Sequence, residues 1–314
     1  NTEGANIHGT ASRISILFLV TAHEPSKGTI QRIGHRGETG GWERLDEWNL
    51  TGSVAEEAAT LGRILREGKQ APREELDLVL GPEVTGIVCH ESCGHPQEAD
   101  RILGREAAQA GESYVKPDMI GYRVGSEAVN IVDDPTVPNS YGFYLYDEEG
   151  VRASRRTLIK AGMISGFLHN RETGAELGVG SNGAARAVSY DREPIIRMAN
   201  TFMLPGEYDD GELVEDVRRG VYIKTFMEWN IDDRRYNERY VGLEAYLIED
   251  GKVTVPVRNP VLEITTPGLY GSVDAVGKNV EFEAATCGKG EPDQGAPVWH
   301  GGPAIRLRNV RLGG

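Results

Sequence analysis

Cysteine is scarce in this chain: three among 314 residues leave no even set for a disulfide framework. That points to a reducing, cytoplasmic setting with thiols free to bind metal. Long uncharged apolar runs are missing as well. Residues 14–22, the most apolar early stretch, are too short to cross a bilayer and alternate like a strand, so no membrane association is expected. Positive charge is in deficit. Against 48 Asp and Glu there are 34 Lys and Arg, a formal net charge of −14. With no basic run interleaved with aromatics, direct nucleic-acid binding is excluded as an expectation, and the acidity is read chiefly as solubility. No repeat or low-complexity segment occurs. The 39% apolar and 26% charged content is that of a globular chain with one large domain or two.

Histidine is also rare, seven in all, yet two of them flank an acid in His90-Glu91-Ser92-Cys93-Gly94-His95. Neutral imidazoles are good zinc ligands, and a glutamate beside the first can take a proton from water, a combination that means hydrolysis. The spacing is H-E-x-x-x-H. Residues five apart on a regular α-helix differ by about 140° in direction, so the two rings would not meet on one ion. A deformation is therefore predicted. Pro82 opens the helix, Gly94 is backbone-permissive, and Pro96 lacks the N–H that would bond the Ser92 carbonyl, so a π-like turn or a break at His95 would bring the rings together.

Two imidazoles rarely hold zinc alone, and the candidates for a third ligand are Cys89, Cys93, Glu98, Asp100, His169, Cys287 and His300. Cys89 and Cys93 adjoin the motif and are expected to point away as small packing residues. Cys287 differs. It sits in Ala285-Thr286-Cys287-Gly288-Lys289-Gly290, read as a flexible loop where a nearby lysine stabilises the thiolate.

At this point the chain resembles the TldD/PmbA metallopeptidases, and within them the TldD branch. The resemblance rests on the motif extended through Pro96-Gln97-Glu98-Ala99-Asp100, on Tyr141-Gly142-Phe143-Tyr144 and Asp147-Glu148-Glu149-Gly150, on Arg197-Met198-Ala199-Asn200-Thr201-Phe202-Met203-Leu204-Pro205-Gly206, and on Cys287-Gly288-Lys289-Gly290 with Pro297 and Pro303. These segments cover most of residues 76–314. The resemblance implies a Zn2+ peptidase with His90, His95 and Cys287 on the metal and Glu91 activating water. It also implies a homodimer, or a heterodimer with a PmbA-like paralogue, enclosing the site and admitting unfolded or small peptides. Pro96 departs from many relatives, which carry a helix-compatible residue there; that bears on the helix, not on the ligands. The chain begins at Asn1, and the resemblance implies that an N-terminal portion precedes it.

The expected fold is α+β, mainly antiparallel sheet with segregated helices and the metal motif on a kinked helix. Residues 1–72 read as the remainder of a truncated N-terminal α/β domain, a hairpin (14–20 with 29–33), a glycine-rich loop (34–41) and a helix (54–69); 73–314 read as the catalytic domain. Further strands are expected at 128–132, 142–146, 157–159, 221–229, 242–248 and 252–257, with helices at 98–110, 171–178, 212–219 and 268–276. Residues 200–203, with Asn200 and Thr201, are the candidate open edge to which an extended peptide would add. His169 and His300 are placed near or around the site, His300 as a substrate-binding candidate. Two rival readings stand beside the peptidase: a non-catalytic partner-binding subunit with a structural metal, and a metal-dependent hydrolase of another bond.

Overall fold

A computed structural model of the chain describes residues 2, 4–105, 112–290 and 293–313. The fold is α+β, and among the described residues the strand pairings are antiparallel except for three parallel ones. Two sheets organise it. Asn237–Gly242, Val261–Thr265, Ile305–Gly313, Glu75–Leu80 and Arg219–Ile223 form the middle of a ten-stranded sheet. Glu281–Lys289, Gln294–Gly302, Asn200–Met203, Ile131–Asp133, Arg156–Lys160 and Met163–Ile164 form a six-stranded one, in that order.

Glu75–Leu80 is central and apolar, and it leads through Gly81 into the helix Pro82–Cys89, with proline in the first turn where its missing N–H costs nothing. This helix packs on the six-stranded sheet. Its buried residues Val84, Ile87 and Val88 share one core cluster with Leu78 and Leu80 of one sheet and Val298 and Met203 of the other. The motif that follows is thus buried between two sheets from its first residue.

At the N-terminal end, Arg13–Glu24 and Gly28–Thr39 pair in unbroken register, Arg13 opposite Thr39. The strand therefore runs through the glycines expected to form a loop. Gly34 is tolerated there because Phe18 lies across it: a Cβ would come within 2.2 Å of the Phe18 ring. One face of the hairpin, with Val20 and Ile30, packs on Leu61, Ile64 and Leu65 of the helix Leu50–Glu67 and reaches Leu243 of the following segment. Arg32 fixes this unit to the metal helix, donating twice to Glu83 at 2.9 and 2.6 Å and pairing with Glu57 at 2.9 Å.

Other expectations shift. Residues 142–146 form no strand, since their backbone bonds locally or to side chains: Gly142 N–H donates to Asn200 Oδ1, and Tyr144 N–H to the Pro135 carbonyl. The 221–229 stretch divides into Arg219–Ile223 and Phe226–Ile231, and 242–248 divides between Asn237–Gly242 and Ala245–Glu249. Of the helix expected over 98–110, Ala99–Ile102 is helical; residues 106–110 lie outside the described residues. The 268–276 helix is Thr266–Ser272, followed by the strand Val273–Val276.

Leu61 is completely buried where hairpin, helix and Leu243 meet. Leu61→Ala should cost about 2–5 kcal/mol of stability, read from the shift of a chemical denaturation midpoint.

Candidate metal centre

The α-helix ends at Cys89 and gives way to a π-helical turn, His90–Gly94, then to a short 3-10 turn, His95–Gln97. The His95 N–H donates to the His90 carbonyl, a span of five residues that sets the second imidazole above the first. The ring centroids are 4.9 Å apart. Gly94 serves differently from expectation. Its backbone is ordinary right-handed helix at φ −59°, and what demands glycine is space, because a Cβ would fall 1.8 Å from Met198 Sδ.

Cys287 completes the cluster from the strand Glu281–Lys289, not from a loop: its pairing with Gln294–Gly302 sets Cys287 opposite Ala296. Its Sγ lies 3.2 Å from His90 Nε2 and 3.3 Å from His95 Nε2. Ligand atoms of all three residues fall within 4.8 Å of one another, and all three are buried. Burial pushes the Cys287 thiol up, but the charges of His95, His90 and Arg197 and a hydrogen bond with His90 outweigh it and hold its pKa well below the ordinary value. The thiolate is the ligating form. His95 is opposed by burial yet raised overall by Cys287 and Glu98.

Lys289 does not stabilise the thiolate. It donates to Asp100 at 2.8 and 2.9 Å and lies 3.3 Å from Glu98. Glu98 in turn sits 3.0 Å from Nδ1 of His95, on the far side of the ring from Cys287. This removes Glu98 and Asp100 from the ligand candidates and makes Glu98 the carboxylate that orients the His95 ring. Burial alone would raise Glu98, but Lys289, His95 and Arg101 hold it far below the usual range. Cys89 and Cys93 are fully buried in the apolar core, their thiols pushed up by desolvation. His169 is elsewhere, hydrogen-bonded to Thr173 and lining another cavity.

Glu91 points into the same centre, 4.0 Å from His95 Nε2. Trp229 Nε1 donates to it at 3.2 Å and Arg235 at 2.5 Å. Neither partner was foreseen, because the strand Phe226–Ile231 and the turn after it, some 140 residues away, bring them in and one sequence carries no sign of that contact. Arg235 adopts a left-handed backbone, φ 61°, in a turn where Asp232 accepts from Tyr236 and Asn237 N–H. Behind Glu91, Ser92, Tyr240, Glu238 and Thr266 form a buried network. Desolvation raises Glu238 to about 7.

His300 lines the cleft with its ring centroid 6.0 Å from that of His90, and burial and His90 push it down to about 3. Asn200 and Thr201 do not reach the cleft. Their strand lies inside the sheet, between Gln294–Gly302 and Ile131–Asp133, so it offers no edge. Both are fully buried, with Asn200 bonded to Asp134 and Ser140 and Thr201 to Asp133.

The donor set suits zinc: two imidazole Nε2 atoms and a depressed thiol converge. Comparison with known proteins places the chain in a metallopeptidase family. Residues 73–314 match the model of the PmbA/TldA metallopeptidase C-terminal domain, and the chain belongs to this PmbA/TldD family. A metalloprotease of Methanothermobacter thermautotrophicus is 34% identical over 316 residues, covering all of this chain and 66% of the relative. A zinc metalloprotease TldD homolog of Saccharolobus solfataricus is 31% identical over 250 residues, 79% of this chain and 54% of that one. The chain thus spans under two thirds of either relative's length. Crystalline TldE from Thermococcus kodakarensis shares the fold, with a TM-score of 0.70 at 18% identity over 96% of this chain and 63% of that one.

Glu98→Gln removes the charge that orients His95 and should weaken zinc binding about 10–100-fold, measured by competition with a chelating dye. Glu238 is raised from 4.5 to about 7 by folding, so its contribution to stability is full at low pH and is lost as pH climbs through 7. Denaturation of Glu238→Gln across that window should show a flatter pH dependence than the parent.

Proposed function

We propose that this protein is a zinc-dependent peptidase in which His90, His95 and Cys287 hold the metal and Glu91 is the general base. The observation that most supports this is the convergence of those three ligand atoms within 4.8 Å, beside Glu91, at the floor of a cleft of about 840 Å³. Bound zinc supplies Lewis acidity, lowering the pKa of water and polarising the scissile carbonyl. Glu91 accepts the proton of the attacking water and delivers it to the leaving amine nitrogen. Trp229 and Arg235 hold its carboxylate in place for that transfer. His300 is the candidate for orienting substrate.

The substrate reading is unfolded or small peptides. Glu281–Lys289 is the terminal strand of its sheet among the described residues, and residues 283–288 line the cleft, so an extended chain can pair with the edge that carries Cys287. Leu17, Leu19 and Ile33, exposed on the outer face of the hairpin, line the cleft as well and suit apolar side chains. Residues 73–314 are read as the catalytic domain and 1–72 as lying outside it. We place the protein in the cytoplasm as a homodimer or a heterodimer with a PmbA-like paralogue; none of its described helices is long and apolar enough to cross a membrane.

Glu91→Gln should keep its zinc and lose peptidase turnover about 10²–10⁴-fold, and Cys287→Ser should lower zinc content sharply. Both are read by metal analysis and cleavage of an unfolded peptide, with chelator and zinc add-back. Undiminished cleavage by Glu91→Gln removes the general base; undiminished zinc in Cys287→Ser removes the third ligand.

A further inference from the structure

A partly open pocket, about 170 Å³ in volume, shares no lining residue with the metal cleft. Arg13, Arg186 and Arg197 all line it. Arg186 is buried, donates to the Met198 carbonyl at 2.7 Å and the Pro297 carbonyl at 2.9 Å, and lies 5.2 Å over the Tyr144 ring. Arg197, 1% exposed, donates to the Gln294 carbonyl at 2.8 Å and to the Cys287 carbonyl, and its Nε has no partner. Arg13 donates to the carbonyls of Tyr141 and Phe143. Their acceptors are thus neutral carbonyls, and among the described residues none of the three is ion-paired with a carboxylate.

Two acids stand on the wall. Asp147 is committed to the N–H groups of Glu149, Val151 and Ala185, and Glu148 is exposed. Three guanidinium groups against two acids leave an excess of positive charge, which is costly where Arg186 and Arg197 are buried, and burial together with Arg197 and Arg13 draws Arg186 down to about 10. An oxyanion relieves that cost and matches the planar fork of arginine. The volume suits one such group with water, not a peptide.

We infer that this cavity is a binding site for a small oxyanion, a carboxylate or phosphate group, held by Arg186 and Arg197 with Arg13. The inference does not need the peptidase reading: its tests substitute Arg186 and Arg13 and leave Arg197, which also bonds the Cys287 carbonyl, in place. Titration calorimetry of the full-length protein tests it with inorganic phosphate and with acetate, against chloride at matched ionic strength. Saturable one-site binding of either anion is expected, at least about tenfold weaker in Arg186→Gln and intermediate in Arg186→Lys. Arg13→Gln changes an exposed strand residue and gives a second reading should Arg186→Gln not fold; it should weaken binding too. Heats matching chloride in the parent protein, or affinity unchanged in both variants, overturn the inference.

Discussion

A backbone hydrogen bond of π-helical span, from the His95 N–H to the His90 carbonyl, brings together edge to face two imidazoles that an α-helix would turn apart. Everything at the centre follows from that register. With the rings 4.9 Å apart, one thiol arriving from a neighbouring strand lies within 3.3 Å of a nitrogen on each. The turn is sustained at its C-terminal end: Pro96 has no N–H to restore α-helical bonding to Ser92, and Gly94 lets Met198 close in on the widened segment.

Charge placement supports the same geometry. The chain is strongly acidic overall, yet cations are drawn inside wherever a reactive group needs holding. Lys289 anchors Glu98, which fixes His95; Arg197 reaches the Cys287 carbonyl; Arg235 grips Glu91. Each pairing has low solvent access, where truncating one partner leaves the other's charge uncompensated. The acids on Lys289 and the guanidinium on Glu91 therefore belong to the centre as much as the ligands do.

What the sequence made legible, and what it concealed, divides along the range of the forces involved. The hairpin could be read from the alternation in Ile14-Ser15-Ile16-Leu17, and the need for a distorted helix from the five-residue histidine spacing and Pro96. Cys287 was singled out for its glycine neighbours, but those glycines lie in or beside a strand, since pairing with Gln294–Gly302 overrides local flexibility. The same override extended the hairpin through Gly34 and placed Asn200–Met203 inside a sheet. Gly94 was noticed for backbone freedom it does not use.

The order of residues alone determined the chemistry on offer: two imidazoles and a carboxylate at a spacing that a regular helix cannot serve, and a late thiol. Hydrophobic periodicity and spacing are local properties, so they survive in one dimension. Only the tertiary structure decided that Cys287 closes the cluster, that Glu98 orients rather than ligates, and that Trp229 and Arg235 hold Glu91. Those are contacts between segments far apart in the chain, set by which strands pair and which surfaces pack, and single-sequence patterns carry no term for them.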